Sequence, residues 1–411
     1  MRRTDTIIIG GGQAGLAMSR CLSERAIDHV VFERGRIAER WQSERWDSLK
    51  LLTPNWQSRL PGFRYEGDDP DGYMTMPEVA DYFKRYARSF SAPVQTSTSV
   101  GAVEKTAAGY RVTTNQGIWT AAHVVIATGY CDVPLIPDMG DALSRDILQL
   151  VPTRYRNPNQ LPEGGVLVVG ASASGIQLAD EIHESGRPVT LAVGRHTRLP
   201  RMYRDRDILW WFDRMGIVDE SVDDVQDIEA SRRQPSLQVV GRRERLDLEV
   251  LKRRGVRLLG RALAADGPKM SFADDLLATT SAAQVKMTRI LASIDAFIDR
   301  VGLAAEVSEK EPVPEITPDT SAQEVDLRAA AIKTVLWATG FRRSYPWLKV
   351  PVLDERGELR HDRGVLPAEG LYVLGLRFQC HRNSSFIDGV GRDAEFVAAH
   401  IAARLERQVA S

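Results

Sequence analysis

Three glycines, Gly10, Gly12 and Gly15, carry the first chemical signal in this chain. They follow a short apolar run, residues 6–9, and lead into residues spaced as one helix face (Ala14, Leu16, Ala17, Cys21, Leu22). Each position needs glycine for its own reason. The first permits a tight turn, the second lets backbone N–H groups approach a pyrophosphate, and the third lets helix and strand pack closely. Gln13 and Ala14 lie at the positive helix start, which faces the phosphates. Eighteen residues after Gly15 a second apolar run ends in Glu33, where a carboxylate can accept hydrogen bonds from ribose hydroxyls. Strand, glycines, helix, second strand and terminal acid together predict a dinucleotide site.

The pattern recurs. Residues 166–170 read as another buried strand, followed by Ala171-Ser172-Ala173-Ser174-Gly175 and a helical run to Ser185. Each unit also has a later strand ending in Ala-Thr-Gly, first Ala127-Thr128-Gly129 and then Ala338-Thr339-Gly340. In the second unit Ser172 replaces the middle glycine, which should still admit a pyrophosphate. Its second strand ends without an acid, in Val193-Gly194-Arg195-His196-Thr197-Arg198. A 2′-phosphate there would be repelled by carboxylate and held by guanidinium. The second nucleotide therefore reads as NADPH, with Arg195 as the clamp and His196 or Arg198 as helpers.

Other classes of function find little support. A net charge of −1 over 411 residues gives no general attraction to nucleic acid or anionic membrane, and no apolar run approaches a bilayer span. Interleaved arginines and tryptophans near Trp210-Trp211 are accompanied by Asp205, Asp207 and Asp213, so they read as a solvated face. The apolar start is too short for a signal peptide and runs straight into the glycines. Cys21, Cys131 and Cys380 are far apart with no Cys-x-x-Cys pair, against a zinc site, a disulfide framework or a dithiol redox centre. A cytoplasmic protein with a small-molecule substrate is expected, with no metal and with a homodimer as the assembly left open.

The elements that position these residues read as an α/β fold of two Rossmann-like domains, the NADPH domain inserted into the other. The expected boundaries are 1–153 and 331–411 for the first domain and 154–330 for the second. An amphipathic helix starts at Pro77, short strands follow over residues 94–120, and a long helical run covers 272–301. A terminal helix is expected from Asp393 to about Arg407.

The chain resembles the class B flavin-dependent monooxygenases, close to the flavin-containing monooxygenase-like proteins and the plant auxin-forming enzymes. The resemblance rests on Gly10 to Gly15 with Glu33, Trp46-Asp47-Ser48-Leu49-Lys50-Leu51 before Thr53-Pro54, and both Ala-Thr-Gly strands. Tyr155-Arg156-Asn157-Pro158 and Gly170 to Gly175 complete it. It implies FAD in the first unit and NADPH in the second, with O2 adding to reduced flavin at C4a and one oxygen passing to a small organic substrate. FAD would then contact Gly10, Gly12, Gly15, Glu33, Arg34, Trp41, Thr53, Ala127, Thr128, Gly129 and Asp388. NADPH would contact Gly170, Ser172, Ser174, Gly175, Arg195, His196, Thr339 and Gly340. No catalytic residue beyond the cofactor contacts is assigned.

The chain departs from that family at its identifying motif, Phe-x-Gly-x-x-x-His-x-x-x-Trp/Tyr. Here only the aromatic Tyr155 survives, and Val151 or Gln149 stands where histidine is expected. A flavin oxidoreductase that passes electrons to another acceptor is the rival expectation.

Overall fold

The computed structural model describes residues 2–319 and 321–409. Strand β1 (Arg2–Ile9) is central to the first sheet, and its Ile7 and Ile8 are fully buried because both sheet faces are covered. After it come α1 (Gln13–Ser23), β2 (His29–Phe32), α2 (Met76–Ser89) and β3 (Val94–Gln95). Helix α2 begins in a Thr75–Glu78 capping box with proline in its first turn, matching the expected start. Strands β4 (Val100–Thr106), β5 (Gly109–Thr114) and β6 (Gly117–Ile126) complete the order β3-β2-β1-β6-β5-β4. Strand β6 serves two neighbours on one edge. Its first half pairs antiparallel with β5 and its last residues pair parallel with Leu371–Val373, which brings the C-terminal region back to this sheet.

The second sheet is parallel throughout. Its members are β7 (Leu148–Leu150), β8 (Gly165–Val169), β9 (Val189–Ala192), β10 (Arg257–Leu259) and β11 (Ile332–Trp337), in the order β7-β11-β8-β9-β10. Helix α3 (Ala173–Glu184) follows β8. The sheet thus runs beyond the boundaries expected at 153 and 331. β7 lies before the first, and β11 lies after the second yet sits inside the sheet between β7 and β8.

The long helical segment is α4 (Leu276–Val301); Phe272 instead ends a strand, Lys269–Phe272. From Met287 on, α4 buries Met287, Leu291, Ile294 and Ile298 against Leu199, Tyr203, Ile208 and Trp211, so it covers the insertion after β9 and not the nucleotide sheet. The terminal helix α5 (Val390–Val409) begins three residues before the expected Asp393, packing Val390, Ala394, Val397 and Ile401 into the core that holds α1. Among the described residues no helix is long and apolar enough to cross a membrane.

Candidate dinucleotide sites and the joint between them

At the end of β1 the Gly10 N–H donates to Phe32 O at 2.8 Å, and Gly10 takes φ +116°. A Cβ there would stand 2.5 Å from Ala127 O, and one at Gly15 would stand 1.8 Å from Gly10 O. These two glycines let α1 and the Ala-Thr-Gly strand close on the turn. Gly12 differs: a Cβ would meet nothing within 4 Å, and no side chain caps the start of α1. The orphan N–H groups of the helix start therefore face open space, which suits a pyrophosphate. Gly129, φ +79°, is equally open.

Glu33 is buried at the rim of this cradle. It accepts from Gly11 N–H at 2.7 Å and Gly35 N–H at 2.9 Å, one bond per oxygen, leaving lone pairs for further donors. Trp41 donates its indole N–H to Gln13 Oε1 at 3.3 Å, and the Arg45 guanidinium lies 5.5 Å from the Trp41 ring centroid. Thr53 is half-buried before a short turn, Asn55–Gln57. Arg34 is exposed and 3.4 Å from Glu44, and Asp388 is held by Arg59 at 2.5 Å. Burial nevertheless pushes the Asp388 carboxyl above its ordinary value, with Arg59 opposing.

The second cradle repeats the first almost atom for atom. Gly170 N–H donates to Ala192 O at 2.9 Å, and a Cβ on Gly170 would meet Ala338 O at 2.5 Å. A Cβ on Gly175 would meet Gly170 O at 1.8 Å. Ser172 starts α3 without a capping bond, Ser174 lies in its first turn, and Gly340 is open like Gly129. Thr339 donates to Leu135 O.

The two cradles part at the residue after the second strand. Where the first has Glu33, the second has buried, apolar Val193. Arg195 is exposed and makes no ion pair among the described residues. His196 is buried with Nδ1 at 3.0 Å from Gly194 O and Nε2 without a partner among the described residues, and burial lowers its pKa. Arg198 is no phosphate helper. It lies inside the domain, paired with buried Asp247 at 2.8 Å and bonded to Gln284 and Pro314 O, because the chain turns inward after Thr197.

Both Ala-Thr-Gly segments feed one two-stranded ribbon, in which Val133-Pro134 pairs with Phe341-Arg342 and links the domains. There is a second joint. Buried Tyr155 donates its hydroxyl to Glu181 of α3 at 3.0 Å, and Ser48 donates to the same carboxylate. Arg156 bonds the carbonyls of Ser43 and Arg45, and Asn157 bonds Asp47 at 2.6 Å. The Trp46 to Leu51 and Tyr155 to Pro158 motifs therefore clamp the domains together, a role that spacing alone could not reveal. Trp46 itself is core to the second domain. Val151 is buried, and Gln149 bridges Trp337 Nε1 and Gly140 O, each at 2.9 Å.

All three cysteines are unpaired, and burial raises each thiol, Cys21 to about 12. None is primed as a thiolate. Among the described residues no cluster of three or more His, Cys, Asp or Glu is arranged to hold a metal.

Similarity to known proteins follows this geometry. The pyridine nucleotide-disulphide oxidoreductase family matches at residues 7–208. A CzcO-like oxidoreductase of uncharacterised activity from Geobacillus kaustophilus (strain HTA426) is 35% identical over 397 residues, covering 96% of this chain and 97% of its own. The probable indole-3-pyruvate monooxygenase YUCCA4 of Arabidopsis thaliana is 32% identical over 200 residues, 48% of this chain and 46% of its own. A flavin-containing monooxygenase from Stenotrophomonas maltophilia superposes with a TM-score of 0.69 at 20% identity, covering 98% of this chain and 100% of the other. The fold is thus that of the two-dinucleotide flavoproteins, similar to class B flavin monooxygenases. Within that class the chain belongs to the CzcO-like oxidoreductases.

Proposed function

We propose that the protein is an NADPH-dependent FAD monooxygenase that transfers one oxygen atom from O2 to a small organic substrate at nitrogen, sulfur or an activated carbon. The observation that carries this reading is the pair of matched cradles, one ending in a buried carboxylate and the other in an exposed, unpaired arginine. Gly10, Gly12, Gly15 and Glu33 hold the FAD pyrophosphate and ribose. Gly170, Ser172 and Gly175 hold that of NADPH, and Arg195 its 2′-phosphate. When bound, FAD supplies the redox chemistry, accepting a hydride from NADPH and passing electrons to O2. The chain positions the two nucleotides across the ribbon and excludes water where the domains meet.

One observation favours a second reading, a flavin oxidoreductase serving another electron acceptor. The family's histidine is absent; of the residues that could stand for it, Val151 is buried in the core and Gln149 is taken up by hydrogen bonds to Trp337 and Gly140. The test is to add NADPH anaerobically to the yellow protein, admit air, and compare NADPH consumed with hydrogen peroxide released. Slow reoxidation with little peroxide supports the monooxygenase. Fast, stoichiometric peroxide means either an oxygenase uncoupled for want of its substrate or the second reading, which anaerobic turnover with an added electron acceptor then distinguishes, and a flavin that NADPH cannot bleach overturns both.

A further inference from the structure

The second cradle lacks the acid that the first uses for ribose, and a different polar side chain, from elsewhere in the chain, reaches its turn. In the first unit Glu33 accepts from the Gly11 N–H, and the Gly11 carbonyl accepts from the backbone N–H of Ala38 at 3.0 Å. The counterpart of Gly11 is Ala171, since Gly10 and Gly170 occupy equivalent turns. What reaches Ala171 is Gln238, whose Nε2 donates to Ala171 O at 2.5 Å. Its backbone N–H donates to Thr197 O at 2.8 Å, so Gln238 spans the glycine turn and the segment that carries Arg195. The carbonyl acceptor fixes the amide orientation, because a flip would set two oxygens against each other. That leaves Gln238 Oε1 buried and without a partner among the described residues, in a residue only 1% exposed. A buried acceptor of this kind is costly unless a donor arrives.

Gln238 is covered because its segment is pressed between the domains; a Cβ on Gly241 would lie 2.7 Å from Leu51 O. The segment has no helix or strand of its own, only the bridge between Thr197 and Leu237, and it is anchored by buried Val239 and Val240.

Resting on the reading that the second cradle takes a nicotinamide nucleotide, we propose that Gln238 replaces the missing ribose acid. Its Oε1 accepts from the adenosine ribose hydroxyl of the nucleotide. Being neutral, it tolerates the 2′-phosphate that a carboxylate at this place repels. It is therefore a specificity residue as well as a ribose ligand.

The test is isothermal titration of the FAD-loaded protein with NADP+, NAD+ and 2′,5′-ADP. Gln238→Leu should weaken all three about tenfold at unchanged FAD content, because all three carry the adenosine ribose. Gln238→Glu keeps an acceptor but adds charge, so it should weaken NADP+ and 2′,5′-ADP far more than NAD+. A merely structural role would lower all three alike in both variants, and that result would overturn the proposal. So would dissociation constants within twofold of wild type. Should Gln238→Leu fail to fold, the NADP+/NAD+ ratio of Gln238→Glu decides alone. Wild-type protein that binds none of the three would overturn the nucleotide reading itself, a result separable from failure of the Gln238 assignment.

Discussion

The two nucleotide cradles are the same object built twice with different endings. A Cβ on Gly10 or Gly170 would stand the same 2.5 Å from the Ala-Thr-Gly carbonyl, and one on Gly15 or Gly175 the same 1.8 Å from the preceding turn. Backbone geometry and close approach therefore leave no latitude at these positions. The residue after the second strand is free to vary, being buried Glu33 in one unit and buried Val193 in the other. On the proposed reading the turn holds the pyrophosphate and the strand end decides which nucleotide brings it.

The most severe way to break the comparison is to fill the close contacts. Gly15→Ala and Gly175→Ala each force a Cβ onto a carbonyl oxygen, an overpacking strain of ~1–3 kcal/mol or more. Gly15→Ala should purify without flavin colour. Gly175→Ala should stay yellow but resist bleaching by NADPH. If both variants lost flavin alike, the division of labour between the cradles would be wrong.

Acid should also separate the two sheets. In the first, His29 and His123 flank Thr6 across three strands; the equivalent row in the second is Val189, Val166 and Thr334. Burial pushes His123 from 6.5 down to about 4 with both ring nitrogens unpartnered, and it lowers His29 as well. Folded pKa values below the unfolded one mean that the unfolded chain takes up protons first. Stability is then full above 6.5 and falls as pH drops toward 4. The loss from His123 is roughly 3 kcal/mol across that window. Flavin release in urea should follow that window, and His123→Thr, borrowing the residue of the second sheet, should flatten its pH dependence. An unchanged slope would remove His123 from the account.

Arg195→Ala should raise the KM for NADPH by about 10- to 100-fold, as expected for losing a charge-assisted bond, and leave that for NADH nearly unchanged. Equal changes would deny Arg195 the 2′-phosphate. Ser172→Gly, which gives the second turn the residue of the first, should do least. Ser172 makes no capping bond, so the loss is about a few tenths of a kcal/mol. The NADP+ dissociation constant should move less than about threefold. A larger shift would mean that the hydroxyl contacts phosphate.

Much of the frame was legible because it rests on local pattern. Apolar runs before glycines marked β1 and β8, and repetition of Ala-Thr-Gly far downstream announced the duplicated architecture. What was not legible was where long-range partners fall. Arg198 and Arg195 look equally basic three residues apart, but only the fold puts Asp247 against the first and solvent against the second. The start of α4 was placed early because Phe272 is as apolar in a strand as in a helix, and its pairing partners lie at 262–266 and 324–326. The domain boundaries slipped for the same reason, since a strand belongs to whichever sheet its hydrogen bonds join.

By itself the sequence determined the class of fold, the two turns and the chemical contrast between their strand ends. These depend on φ, side-chain size and charge, which are properties of residues close together in the chain. The tertiary structure decided the rest: Tyr155, Ser48 and Glu181 as a joint between domains, and Gln238 beside Ala171. Those contacts join residues dozens of positions apart, and no local propensity encodes them. They arise only when whole elements bury their apolar faces together and the polar groups carried along must find partners in the space that remains.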